Sequence, residues 1–238
     1  MSEWFARWFN DDYLALYPHR NEADAADAIA MVERVAPGAA DRRVLDVGCG
    51  PGRHARILRA RGYRVVGLDL SQTLLRIALQ QSDAALVRGD MRRLPIRSAS
   101  CDLVVNLFTS FGYFPDDREH ADVIAEMART LRPGGMLVLD FLNAERVRAD
   151  LAEPSGVTTG LHGSRSRKGL SDDGQFVVKQ ITLADGTEHV ERVRLLAMPD
   201  LTAMFSAAGL EVTQQLGDYD GSPHSAEAAR SIVAGRRR

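Results

Sequence analysis

The sequence predicts a doubly wound α/β domain, and three observations carry that prediction. Near-continuous aliphatic runs such as "RRVLDVG" (42–48) and "CDLVVNLF" (101–108) recur with amphipathic helical stretches between them. That rhythm belongs to βαβ units whose parallel sheet is covered on both faces. A glycine-rich turn, "GCGPG" (48–52), lies where the first strand passes into its helix, the edge at which open α/β sheets bind ligands. The second and third strands end in Asp69 and Asp90, which brings carboxylates to that same edge.

Each element follows in order. An aromatic start, "MSEWFARWFNDD", places Trp4, Phe5, Trp8 and Phe9 on one helical stripe; no Lys-rich polar face accompanies it, so the stripe packs against the domain and not on a lipid surface. A helix over 22–36 stops at Pro37-Gly38. Then come a strand at 42–48, a helix at 53–62 ended by Gly62, a strand at 63–70, a helix at 73–82, a short strand at 84–90, a strand at 101–108, a helix at 118–131 and a strand at 136–142. From about 155 the pattern changes: two alternating runs in 174–198 flank Asp185-Gly186, a hairpin signal. A helix over 199–209, a strand over 210–219 and a last strand over 230–236 return the chain to the main sheet. The organisation expected is one domain over 1–238, with an N-terminal helical cap at 1–36 and an antiparallel β insertion at 155–198 covering the acceptor site.

Composition narrows the function. The 238 residues carry 30 basic and 32 acidic side chains for a net charge of -2, which leaves no electrostatic footprint for nucleic acid. Cys49 and Cys101 form no disulfide framework or ligand spacing, and the six histidines are scattered, so no metal is expected. No long apolar run or signal peptide is present, and the expectation is a cytoplasmic protein, monomer or homodimer, that spans no membrane.

The loop at 48–52 invites a dinucleotide reading, and its spacing opposes it. The nicotinamide fingerprint GxGxxG requires a glycine at position 53, which is Arg53, whereas Gly48, Gly50 and Gly52 make GxGxG. Asp46, inside the strand, would repel a pyrophosphate and suits a ligand bearing an ammonium group. Asp69 stands where an acidic residue accepts hydrogen bonds from ribose hydroxyls, and Asp90 in "RGDM" where a carboxylate can accept from an exocyclic amine. Asp102 begins its strand and carries no such assignment.

"VLDVGCGPG", "VVGLDLS", "VRGDM", "DLVVNLFTSFGYF" and "LRPGGMLVLDF", in this order over 44–141, resemble the successive motifs of class I S-adenosylmethionine-dependent methyltransferases. The resemblance implies a Rossmann-like seven-stranded, mostly parallel sheet with the last strand antiparallel, and S-adenosyl-L-methionine as cofactor. It places the methionine moiety at Asp46 and the loop Gly48, Cys49, Gly50 and Gly52, ribose at Asp69, adenine near Leu70, Asp90 and Met91, and Asn106 with Leu107 beside the transferred methyl. The segments "YLALYPHR" (13–20) and "GDYDGSP" (217–223) resemble a small-molecule subgroup of the same superfamily.

The acceptor side is read from residue type and position. Phe108, Phe111, Tyr113 and Phe114 follow the fourth strand and could wall a dry pocket with π faces. Tyr13 and Arg20 are candidates for the cofactor's carboxylate, His19, Tyr17 and Tyr113 for catalysis, and Phe111, Tyr113, Asp218 and Tyr219 for contact with the acceptor. Methyl transfer is an in-line displacement that needs alignment above all, and a general base chiefly where the acceptor must lose a proton. The fourth strand continues "NLFT" in place of the Asp/Asn-Pro-Pro-Tyr/Phe of amino-methylating DNA enzymes, and no cysteine follows a proline. The expectation is therefore methyl transfer to an oxygen or nitrogen of a small molecule. A nicotinamide-dependent oxidoreductase and a non-catalytic cofactor-binding protein are its rivals, the first opposed by Arg53 and Asp46.

Overall fold

A computed structural model describes residues 3–17, 22–153 and 156–238. In chain order the elements are α1 Phe5–Trp8, α2 Asp11–Leu16, α3 Glu22–Val35, β1 Arg43–Val47, α4 Arg53–Ala60, β2 Arg64–Asp69, α5 Gln72–Gln81, β3 Ala85–Arg88, β4 Cys101–Asn106, α6 Asp117–Thr130, β5 Leu131–Leu142 and α7 Ala144–Asp150. They continue with β6 Thr158–Thr159, β7 Arg165–Leu170, β8 Phe176–Thr182, β9 Glu188–Arg194, α8 Met198–Ala207, β10 Leu210–Leu216 and β11 Arg230–Arg237.

Seven strands form the main sheet in the order β10-β11-β5-β4-β1-β2-β3. All pairings from β5 to β3 are parallel, and β11, the last strand, runs antiparallel to both β5 and β10. Alternation along each strand feeds two cores. Leu45, Val47, Leu137, Leu139 and Val233 face α6 and α8. Val44, Leu103, Val105, Val138 and Ile232 face the buried side of α3 and α4, with Ile29, Val32 and Leu58. Both faces being covered is why these strands read as unbroken aliphatic runs.

The antiparallel insertion has four strands, β6-β7-β8-β9, two more than the predicted hairpin. Asp185 accepts from the Thr187 N–H at 2.9 Å and Asp173 from the Gln175 N–H at 3.0 Å, so Asp173-Gly174 is a second turn of the predicted Asp185-Gly186 kind. α7 is an element the periodicity did not predict. Seven residues are too few to show a period, and its start is set by Asn143, whose side chain accepts from the Glu145 N–H. Within the expected N-terminal cap the described residues divide: α3 is a covering layer of the main sheet, packed on α4, while 3–17 sits over the strand ends, joined there by Glu22 at the start of α3.

Candidate active site

A cavity of about 360 Å³ opens at the carboxyl ends of β1, β2 and β4. The glycine loop forms its floor. Gly48 takes a left-handed φ of 72°, and a Cβ there would lie 2.7 Å from the Ser110 Cβ, so glycine is required for the loop to close on the segment after β4. The Gly50 N–H donates to Asp69 Oδ2 at 2.8 Å and the Ser71 N–H to Asp69 Oδ1 at 2.8 Å, which fixes that carboxylate at the cavity wall.

Two buried polar atoms are left unpaired behind this loop. Asp46 is 1% exposed and its Oδ2 has no hydrogen-bond partner; Asn106 is fully buried, donates to the Val47 carbonyl at 2.8 Å and leaves its Oδ1 unpaired. Burial, then the neighbouring Asp69 charge, pushes the Asp46 carboxyl up to about 7 against the pull of Arg53. Burial raises Asp69 too, opposed by its backbone N–H donors. A buried carboxylate without a partner is costly unless a cation or donor reaches it, so the donor set fits a ligand that carries an ammonium or sulfonium charge and a diol.

Among the predicted residues, Cys49, Leu70, Asp90, Met91, Leu107, Tyr13, Tyr17 and Tyr113 line the cavity with Gly48, Gly50 and Asp69. Asp46, Asn106 and Gly52 sit behind the wall; Gly52 caps α4 with a φ of 84°. Asp90 is shared: Arg92 grips both its oxygens at 2.6–3.1 Å, and although burial opposes it, these bonds hold the carboxyl below its usual range. His54, to which the sequence assigns no role, joins the wall, 5% exposed with Nε2 unpaired. Burial and the charges of Arg53 and Arg230 drop it to about 3, so it stands neutral. Its signal in the sequence was only its position, second in the helix after the glycine loop.

Several expectations change. Phe111 is not an acceptor contact: its ring is fully buried against Phe141 and His120. The Tyr17 hydroxyl donates to Glu191 at 2.8 Å and the Tyr113 hydroxyl to the Thr109 carbonyl at 2.7 Å, so both protons are committed to holding the cap and the loop. His19 and Arg20 lie outside the described residues. Among the described residues, the insertion supplies none of those lining the cavity.

Asp218 and Tyr219 line a neighbouring depression with Asp24, Asp27, Asp220 and Arg230, and Phe108 is a wall common to both spaces. Phe108 is held by fully buried Asp140, which accepts from the Phe108 N–H at 2.8 Å, the Tyr219 hydroxyl at 2.7 Å and Arg230 at 2.9 Å. Burial and Asp140 push the Tyr219 hydroxyl upward, which keeps it a donor. The guanidinium carbons of Arg53 and Arg230 lie 4.9 and 5.1 Å from the Phe108 ring centre. Among the described residues no group of three or more His, Cys, Asp or Glu could hold a metal ion, and no helix is long and apolar enough to cross a membrane.

The sheet order, the glycine loop and the strand-end carboxylates define a Rossmann-like methyltransferase, and the comparisons agree. The family described as a methyltransferase domain matches residues 44–135. The chain is 30% identical to a dTDP-3-amino-3,4,6-trideoxy-alpha-D-glucopyranose N,N-dimethyltransferase of Streptomyces venezuelae over 84% of its own length and 87% of that protein. It is 38% identical to a malonyl-[acyl-carrier protein] O-methyltransferase of Enterobacter lignolyticus over 54% of its length and 50% of the relative. Its fold matches the S-adenosylmethionine-bound structure of CalS10, an amino pentose methyltransferase from Micromonospora echinaspora, with a TM-score of 0.67 and 25% identity over 96% of this chain and 97% of that one. The chain belongs to the class I S-adenosylmethionine-dependent methyltransferases and uses S-adenosyl-L-methionine.

Proposed function

We propose that the acceptor is a small molecule bearing a basic amine, that it enters by the depression beside Phe108, and that the methyl goes to its nitrogen. The observation that carries this reading is the shared Phe108 wall: on one side lies the cofactor cavity, on the other a rim where Asp24, Asp27, Asp218 and Asp220 outnumber Arg34 and Arg230, the latter paired with buried Asp140. A rim of that sign concentrates cations. Two relatives named for amino sugars match over 84% and 83% of this chain, and two O-methylating relatives over 54% and 72% of it.

When bound, S-adenosylmethionine supplies an electrophilic methyl on a cationic sulfur. The chain's own residues would do the rest by placement. Asp46 and the glycine loop would hold the charged amino-acid tail, Asp69 the ribose, and Leu70 with Met91 the faces of the adenine. A basic amine drawn to that rim arrives as an ammonium, so it must first give a proton to water through the depression; the neutral amine so formed needs no protein base for attack. That suits a site whose Tyr17, Tyr113 and Tyr219 hydroxyls already donate to protein acceptors. Alignment in a dry site can supply about 7–11 kcal/mol of the barrier.

Paired acceptors that differ only in amine against hydroxyl, including 3-amino and 3-hydroxy sugar nucleotides, test the reading with labelled cofactor. Methyl transfer confined to the amine member supports it. Turnover of the hydroxyl member at an equal rate would overturn it.

A further inference from the structure

The charge pattern of the insertion points to a role that lining residues do not reveal. Along β8 and β9 the alternation puts Val177, Lys179 and Ile181 on one face opposite Val193, Glu191 and His189 in register. Val177 and Ile181 are buried, so this is the inward face, and Lys179 and Glu191 are charged residues placed directly across from each other within it. Charges on a half-buried inner face stay there only if they meet partners.

Their partners are in the N-terminal cap. Glu191 Oε1 accepts from the Trp8 indole N–H at 2.6 Å and from the Tyr17 hydroxyl at 2.8 Å. Lys179 Nζ donates to the Tyr17 oxygen at 2.8 Å and stands 4.7 Å from the centre of its ring. His189 lies against Trp8, ring centres 4.2 Å apart, and Ile181 shares a buried cluster with Trp8, Tyr13 and Leu74. Tyr13 and Tyr17 are cavity-wall residues. The same network that seats α1 and α2 therefore sets two rings of the cofactor cavity.

We infer that Glu191 is a positioning residue for cofactor binding: from the inward face of the insertion it holds Trp8 and Tyr17, and through them closes the N-terminal cap over the cofactor cavity. The insertion acts on the cofactor through the cap and not by touching it. A hydrogen bond to a charged acceptor is worth enough that losing two at one carboxylate shifts an affinity by about 10- to 100-fold.

The test is calorimetric binding of S-adenosylhomocysteine to Glu191→Ala, Glu191→Gln and, on the outward face of the same strand, Val190→Ala. Wild-type protein must bind first; failure there would be a failure of the cofactor assignment and not of this role. The expected result is a dissociation constant raised about 10-fold or more in the alanine variant, restored most of the way by glutamine, whose amide oxygen still accepts, with Val190→Ala unchanged. In turnover, KM for the cofactor should rise while kcat at saturating cofactor changes little. Trp8 emission, isolated in a Trp4→Phe background, should shift on ligand addition in the glutamine variant and lose that response in the alanine variant. Should Glu191→Ala not fold, Tyr17→Phe keeps the ring and removes the hydroxyl link, and is expected to weaken binding about 3- to 10-fold. Wild-type affinity in both Glu191→Ala and Tyr17→Phe, or equal loss in the alanine and Val190→Ala proteins, would overturn the proposal.

Discussion

The two walls of the proposed cofactor cavity are built in opposite ways. The strand-end wall is local: Asp69 is anchored by the backbone of Gly50 and Ser71, 19 and two positions away in the chain. The cap wall is remote: Trp8 reaches Glu191 across 183 positions and Tyr17 across 174. A wall made from backbone donors and one short side chain moves only if the sheet does. One made from side-chain bonds between distant segments can be loosened by a single substitution without touching the core.

The largest expected effect attacks the local wall. Asp69→Ala removes the acceptor of two backbone N–H groups and the one carboxylate placed for a ribose, and should weaken S-adenosylhomocysteine binding at least about 100-fold by calorimetry. Next is Asp46→Asn, which should lower cofactor affinity about 10- to 100-fold yet raise the stability of the ligand-free protein. Because the folded Asp46 carboxyl sits near 7, above its ordinary 3.8, the folded state keeps a proton that the unfolded chain gives up. Its stability contribution is complete below pH 3.8 and is lost as pH rises through 7. Denaturant unfolding of the asparagine variant should therefore show a gain of about 1–3 kcal/mol at pH 8 and little change near pH 4. His54, lowered to about 3, works the other way: the folded state loses stability as pH falls from 6.5 toward 3, and the asparagine variant should retain that acid limb.

The acceptor side should respond more mildly. Phe108→Ala removes the shared wall and should raise the acceptor KM about 10-fold in steady-state kinetics, the cofactor dissociation constant staying within about 3-fold. Asp218→Asn with Asp220→Asn should raise KM for an amine about 3-fold at low salt, an effect that fades at high ionic strength because these charges face solvent. If instead the acidic pair outweighed Phe108, the depression would owe its selectivity to charge more than to shape.

What could be read in the chain follows the same division. The parallel strands, the GxGxG turn, Asp46, Asp69 and Asp90 were visible because burial on both faces and a backbone turn leave local marks. His54 left only its position after the glycine loop, since a lining histidine and a packed one occupy the same place in the pattern. Phe111 and Phe108 are three residues apart in one aromatic run; only the fold sends Phe111 into the core and leaves Phe108 between two guanidinium groups. The reach of Glu191 to Trp8 is a tertiary fact. Its trace is a charged pair on the face of a hairpin that should have been apolar, and that trace gains meaning only once β8 and β9 are set in register.

The bond from Glu191 to Trp8 and Tyr17 also sets a boundary for protein engineering. A chimera that exchanged the contiguous insertion between relatives would be cut at residues 156–198. Grafted alone, such a segment would meet a foreign N-terminus with nothing to grip. The transplantable unit is discontinuous: 3–17 and 176–194 travel together, or the chimera folds with its lid ajar.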